Sequence, residues 1–233
     1  MPKKENVEKM FDSIAPEYDA LNHILSLNID KLWRKRAVRE LCKKDDECDI
    51  LDIACGTGDF TIAIANWCPK SRITGIDLSE QMLESGRKKL AQKGLQDRTD
   101  YRKGDCANME FADNSFDGIS VGFGVRNFED KELCLKEMSR VLKPGARLVI
   151  LELSIPSNPI LRALYKFYFL KVLPFIGGAV SGDKAAYRYL PASVLKFPAP
   201  DEFCKMLSEC GFTQVRHKAL TFGICRMFTA VKA

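Results

Sequence analysis

The stretch Ile50-Leu51-Asp52-Ile53-Ala54-Cys55-Gly56-Thr57-Gly58-Asp59-Phe60 places an acid at the end of an apolar run, then a Gly-x-Gly turn, then the opening of a helical pattern. Glycines let the backbone approach a ligand closely, and the unpaired N–H groups of a helix start favour an anionic group. Asp52, near the end of its run, can turn its carboxylate toward a cationic ligand. Asp77 ends the next apolar run, 19 residues beyond Gly58. That is where an acid grips the hydroxyls of a ribose. Gly104-Asp105-Cys106-Ala107 follows the third run, where the Asp105 side chain and the Cys106 N–H suit the edge of a purine.

Thr61 stands where a dinucleotide-binding loop requires its third glycine, so the fingerprint for a pyrophosphate is incomplete. An NAD-dependent oxidoreductase is disfavoured on that ground. An adenosine that carries a carboxylate, an ammonium and a positive sulfur fits Asp52, Gly56, Thr57, Gly58, Asp77, Asp105 and Cys106 better; that ligand is S-adenosylmethionine. Each acid also has a plainer reading, Asp59 as a helix N-terminal charge and Asp105 as a turn residue. Three positions in order at the ends of successive strands favour the ligand.

The elements that must hold these residues follow from periodicity. Short apolar runs predict strands at Asp49–Ala54, Arg72–Asp77, Tyr101–Gly104, Phe116–Val121 and Arg147–Glu152. Helical patterns alternate with them at Asp30–Cys42, Asp59–Trp67, Ser79–Gln92 and Lys131–Leu142. Ser79 is placed to cap its helix, and Lys143-Pro144-Gly145 to stop the next one. The alternation lapses between residues 154 and 200, which hold six of the ten prolines. It then returns with a helix at Pro200–Cys210 and two closing strands near Phe212–His217 and Cys225–Val231. The expectation is one domain over residues 1–233, with an N-terminal helical extension (1–45) and a lid-like insert on the substrate side (154–200).

Composition narrows the class. The 233 residues are 46% hydrophobic and 29% charged with a net charge of +5, an ordinary globular mix. Basic and acidic residues are interspersed, so no stripe for nucleic acid is expected. Nine cysteines without a CxxC pair, and only two histidines, point away from a disulfide framework or zinc site and toward reduced thiols in a cytoplasmic protein. No metal is expected. Residues 160–180 are apolar, yet Arg162, Lys166, Lys171, Pro174 and two glycines interrupt them, which makes a poor membrane span. That segment reads either as a cap over a pocket or, through Leu161, Leu164, Tyr165, Tyr168 and Phe169, as a face for a lipophilic substrate.

Most of the chain resembles the class I S-adenosylmethionine-dependent methyltransferases, and its flanks resemble one family among them. Tyr18-Asp19-Ala20-Leu21-Asn22-His23-Ile24-Leu25-Ser26, followed by Trp33, looks like the N-terminal signature of the ubiquinone/menaquinone C-methyltransferases. Gly122-Phe123-Gly124-Val125-Arg126-Asn127, Arg140–Ala146 running on to Glu152 and Ser154, and Tyr189-Leu190-Pro191 through Phe197-Pro198 match its later blocks. Leu21, Asp30 and Ala146 depart from the usual Met, His and Gly.

The resemblance implies an α/β, Rossmann-like fold: a mostly parallel seven-stranded sheet with helices on both faces and an antiparallel last strand. It implies methyl transfer from S-adenosylmethionine to a ring carbon of a polyprenylated quinol, with the naphthoquinol of menaquinone synthesis ahead of the benzoquinol of ubiquinone synthesis. Arg126, Asn127 and Tyr18 would then sit at the quinol oxygen, Arg126 stabilising phenolate charge. The plainer alternatives pair Arg126 with Glu129 or Asp130, make Tyr18 a core aromatic and His23 structural. A non-catalytic adenosyl-binding subunit is the reading from another class. Peripheral contact with the inner face of the membrane and a homo-oligomer both stay open.

Overall fold

The computed structural model describes residues 3–15, 18–172 and 184–233. Seven strands form one sheet: β1 (Asp49–Ile53), β2 (Arg72–Asp77), β3 (Thr99–Lys103), β4 (Phe116–Gly122), β5 (Leu142–Leu153), β6 (Phe212–Leu220) and β7 (Cys225–Lys232). Their order is β3-β2-β1-β4-β5-β7-β6, and β7 alone runs antiparallel to its neighbours. The near-continuous apolar runs of β1, β4 and β5 are the pattern of strands covered on both faces. Strand order reverses between β1 and β4, which pair in parallel from Ile50↔Gly118 to Ile53↔Val121. In an open sheet of this kind a ligand binds beyond the strand ends at that switch point.

Helices cover both faces. On one lie α3 (Ile29–Leu41), α4 (Asp59–Trp67) and α5 (Glu80–Gln92), burying Trp33, Val38, Leu41, Phe60, Ile64, Leu83 and Leu90. On the other lie α6 (Lys131–Val141) and α9 (Pro200–Glu209), burying Leu135, Met138, Phe203 and Leu207. Local chemistry sets their starts. The Ser79 hydroxyl accepts from Met82 N–H (3.1 Å) and the Asp130 carboxylate from Leu133 N–H (2.9 Å), each a side-chain N-cap. Pro200 opens α9 where a missing N–H costs nothing.

Most bounds shift by one to three residues, and the largest difference falls after α6. Lys143-Pro144-Gly145 does not separate α6 from its strand, because β5 already starts at Leu142. Pairing passes from Phe116↔Leu142 to Gly118↔Arg147, so the Pro-Gly pair is absorbed as an irregularity inside the strand.

Four further helices among the described residues surround the strand ends. At the N-terminus these are α1 (Lys4–Ile14) and α2 (Tyr18–Leu25). Beyond β5 come α7 (Pro159–Phe167), a π-helical turn (Tyr168–Val172) and α8 (Lys184–Lys196). Part of the 160–180 segment lies outside the described residues. No helix among the described residues is long and apolar enough to cross a membrane.

Candidate active site

The loop after β1 is built on a buried chain of hydroxyls. Tyr101 donates to Thr61 Oγ1 (2.7 Å), and Thr61 and Ser120 each donate to Asp52 (2.7 Å). Thr61 thus has a positive role at the position where a dinucleotide loop wants glycine. Burial pushes the Asp52 carboxyl up to about 6, against the pull of those two hydroxyls. Asp52 was expected to face a cationic ligand; both its oxygens are engaged beneath the loop, and the residue still lines the cavity above it. Gly58 adopts φ +92°, and a Cβ there would meet the Tyr101 hydroxyl at 2.7 Å. Glycine is required on both counts.

Asp77 sits at the tip of β2. Its two oxygens accept from Gly56 N–H (2.9 Å) and Ser79 N–H (3.0 Å), which tie the glycine loop to the start of α5. Burial raises its pKa and those N–H groups oppose the rise. Asp105 accepts from Ala107 N–H (2.9 Å) and Lys4 Nζ (2.9 Å), a turn residue and an ion-pair partner at once. Asp77, Gly56, Asp105 and Cys106 line one cleft of about 950 Å³, within the range of small-molecule sites. Helix α1 forms its far wall through Lys4, Glu5, Val7, Glu8 and Phe11, held by Lys103–Glu8 (2.6 Å) and the Ser79 hydroxyl on Asp12 (2.5 Å).

A smaller apolar cavity of about 150 Å³ adjoins this cleft; Tyr18, Ala54, Gly56, Gly122 and Phe123 line both. Arg126 forms part of its wall, with Tyr165, Tyr168, Phe169 and Leu190 from the segment after β5. The Arg126 guanidinium pairs with Glu152 (2.8 Å) rather than with Glu129 or Asp130, and Glu152 also takes the Arg126 backbone N–H (3.0 Å). Glu152 is fully buried. Arg126 Nε, also buried, lacks a hydrogen-bond partner among the described residues. Such a group in a cavity wall is a donor without an acceptor. Asn127 accepts from the Tyr189 hydroxyl (2.9 Å). Burial raises the Tyr18 phenol pKa, and the Arg126 charge and the Asn22 side chain pull it back.

Over the glycine loop, α2 is fastened by charge. Thr57 Oγ1 donates to Asp19, and Lys89 bridges Asp19 and Asp59. His23 lies against Asp30 (2.9 Å) and Asp59 (3.3 Å), and Arg34 contacts both carboxylates. His23, Asp30 and Asp59 bring ligand-type atoms within 4.8 Å of one another, a grouping with metal-binding geometry. Arg34 and Lys89 already neutralise the two acids. Burial alone would raise the Asp59 carboxyl; Arg34 and Lys89 outweigh it and hold the group below its usual value.

The structure therefore gathers Gly56, Asp77, Asp105 and Cys106 around the large cleft, and Arg126, Tyr18 and Asp52 around the small one. Asn127 lines the large cleft beside Phe123, Thr57 faces Asp19, and Gly58 packs on Tyr101. Tyr165, Tyr168 and Phe169 line the small cavity as expected of that apolar segment, whereas Glu152 as the partner of Arg126 was not anticipated. The only sequence signal for Glu152 is an acid closing an apolar strand that neighbours β4.

A mostly parallel seven-stranded sheet, with its cleft at the β1/β4 switch point, defines the class I S-adenosylmethionine-dependent methyltransferase fold. A methyltransferase of that kind from Aquifex aeolicus superposes with a TM-score of 0.67 at 18% identity, covering 92% of this chain and 98% of that one. Within this class the chain belongs to the ubiE/COQ5 methyltransferase family, whose pattern matches residues 1–232. It is 45% identical over 230 residues to a demethylmenaquinone methyltransferase of Bacteroides fragilis, covering 99% of this chain and 94% of the relative. It is 47% identical over 231 residues to a ubiquinone/menaquinone biosynthesis C-methyltransferase of Geotalea daltonii, covering 99% and 97%.

Proposed function

We propose that this methyltransferase transfers the methyl group of S-adenosylmethionine to a ring carbon of a demethylmenaquinol. The carrying observation is the partnerless Arg126 Nε in the wall of an apolar cavity that adjoins the larger cleft. The larger cleft has the size and groups for the donor: Asp77 for the ribose, Asp105 and Cys106 for the purine, and the Gly56–Gly58 loop for the amino-acid end. Bound S-adenosylmethionine supplies a methyl already made electrophilic by its sulfonium.

What remains for the protein is alignment and activation of the ring carbon. That carbon becomes nucleophilic as a phenolic proton is lost or polarised. Arg126 keeps its proton at any working pH, so it serves by holding negative charge on the quinol oxygen. Glu152 fixes the guanidinium in place, and Tyr18, which lines both cavities, is the further polar group beside the ring; Asn127, expected at the quinol oxygen, lines the donor cleft instead. The stacked Tyr165 and Phe169, 4.9 Å apart, give an apolar wall for a fused ring. The protein works as one unit, with α1 walling the donor side and α2, α3 and the described residues after β5 walling the acceptor side.

The Geotalea relative's name includes the ubiquinone pathway, which keeps a polyprenyl methoxybenzoquinol as the second reading of the acceptor. Purified protein incubated with methyl-labelled donor and each reduced quinol in detergent decides between them. Label in the naphthoquinol is expected. Label in the benzoquinol alone would replace the acceptor, label in both would broaden it, and label in neither would overturn the proposal.

A further inference from the structure

Helix α7 is apolar on two sides. Its inner side carries Tyr165, which with Tyr168 and Phe169 of the next turn lines the small cavity. Leu164, grouped with those residues on helical spacing alone, points the other way. With Ile160, Phe167 and Leu170 it forms an outward stripe at i, i+4, i+7 and i+10, and these side chains are 71% (Ile160), 63% (Leu164), 64% (Phe167) and 45% (Leu170) exposed. A helix with two apolar faces is at home only when both are covered. The domain covers one.

Charge says what suits the other. Residues 154–200 hold six basic side chains and one acid, a net of +5, which equals the charge of the whole chain. The remaining residues balance at 30 of each sign. No acid occurs between Glu152 and Asp183. Within the described residues, Arg162 and Lys166 share one side of the helix, next to the stripe rather than on it, Arg162 bonded to the carbonyls of Pro156 (3.1 Å) and Ser157 (2.8 Å). A second copy packed here about a two-fold axis would bring the same excess of positive charge against itself. An anionic lipid surface meets both the apolar stripe and the charge.

We propose that the outer face of α7, through Ile160, Leu164, Phe167 and Leu170, docks on a membrane surface rich in anionic lipid. The helix lies in the interface without crossing it, and its inner face walls the acceptor cavity. The use of such a site rests on the quinol reading above, since a polyprenyl tail keeps that acceptor in a bilayer.

The test is sedimentation of the full chain with vesicles that contain neither quinol nor methyl donor. Binding to phosphatidylglycerol mixed into phosphatidylcholine is expected, with weak binding to phosphatidylcholine alone and loss as salt screens the charge. Leu164→Glu combined with Phe167→Glu should lower partitioning at least about tenfold, because both side chains must leave water for the interface. Both positions are exposed, so the fold is spared, and Leu133→Glu on α6 controls for an added charge elsewhere. Three results each overturn the proposal: wild type that ignores anionic vesicles, a double variant that binds as well as wild type, or self-association in solution that the double variant abolishes. Should the labelling assay fail while vesicle binding holds, the acceptor assignment falls and the docking face stands.

Discussion

The donor side and the acceptor side of this site are built in opposite ways. On the donor side, carboxylates at strand ends are satisfied by nearby backbone: Asp77 by Gly56 and Ser79 N–H, Asp105 by Ala107 N–H. On the acceptor side, groups distant in sequence meet in a buried ion pair, Arg126–Glu152, and one guanidinium nitrogen has no partner among the described residues. The first arrangement fixes a loop for a ligand shared by many enzymes. The second holds charge in a dry wall, where it acts strongly on whatever oxygen comes near.

The contrast can be broken most severely at Glu152. Glu152→Ala leaves the Arg126 charge buried and uncompensated, which costs about 3–5 kcal/mol of fold stability, read from urea unfolding. Arg126→Ala comes next. Turnover should drop about 10²–10³-fold, the scale of losing one preorganised charge stabiliser, with affinity for S-adenosylmethionine unchanged in calorimetry. Asp77→Ala should do the reverse, weakening donor binding about 10–100-fold through loss of a charge-assisted hydrogen bond. Equal loss of donor affinity in both variants would dissolve the distinction between the two sides.

A further test concerns pH and the Asp52 carboxylate under the glycine loop. Asp52 titrates at about 6 in the fold against a usual 3.8, because burial penalises its charge. Its contribution to stability is therefore complete below 3.8 and lost as pH rises through about 6. Asp52→Asn removes that loss. The stability of the wild type relative to this variant should fall between pH 4 and 6 and level off above. A difference that stays flat with pH would contradict the burial of that charge.

Those two modes of construction also explain what could be read from the chain alone. Asp52, Gly56, Gly58, Asp77 and Asp105 were visible because strand, turn and acid are contiguous, and parallel strands bring successive ends to one edge. The partner of Arg126 was not. Glu129 and Asp130 are its neighbours along the chain, whereas Glu152 arrives through the sheet, where Gly122 pairs with Leu151. Tyr165 and Leu164 adjoin in sequence and face opposite ways, a split that depends on how α7 and the π-helical turn rotate against the domain. The Pro-Gly pair after α6 reads as a stop, yet the sheet tolerates it because the bulge takes up the extra residues.

Helix α1 has a consequence for how donor binding responds to salt. It closes one side of the donor cleft with few buried apolar side chains, Val7 and Ile14, and otherwise with ion pairs at the surface, Lys4–Asp105 and Lys103–Glu8. Exposed pairs of this sort contribute about 0–1 kcal/mol each and weaken in salt. A wall fastened in this way is the part of the cleft that salt loosens first. Affinity for S-adenosylmethionine measured in rising salt is therefore expected to fall as the pairs that hold this wall are screened.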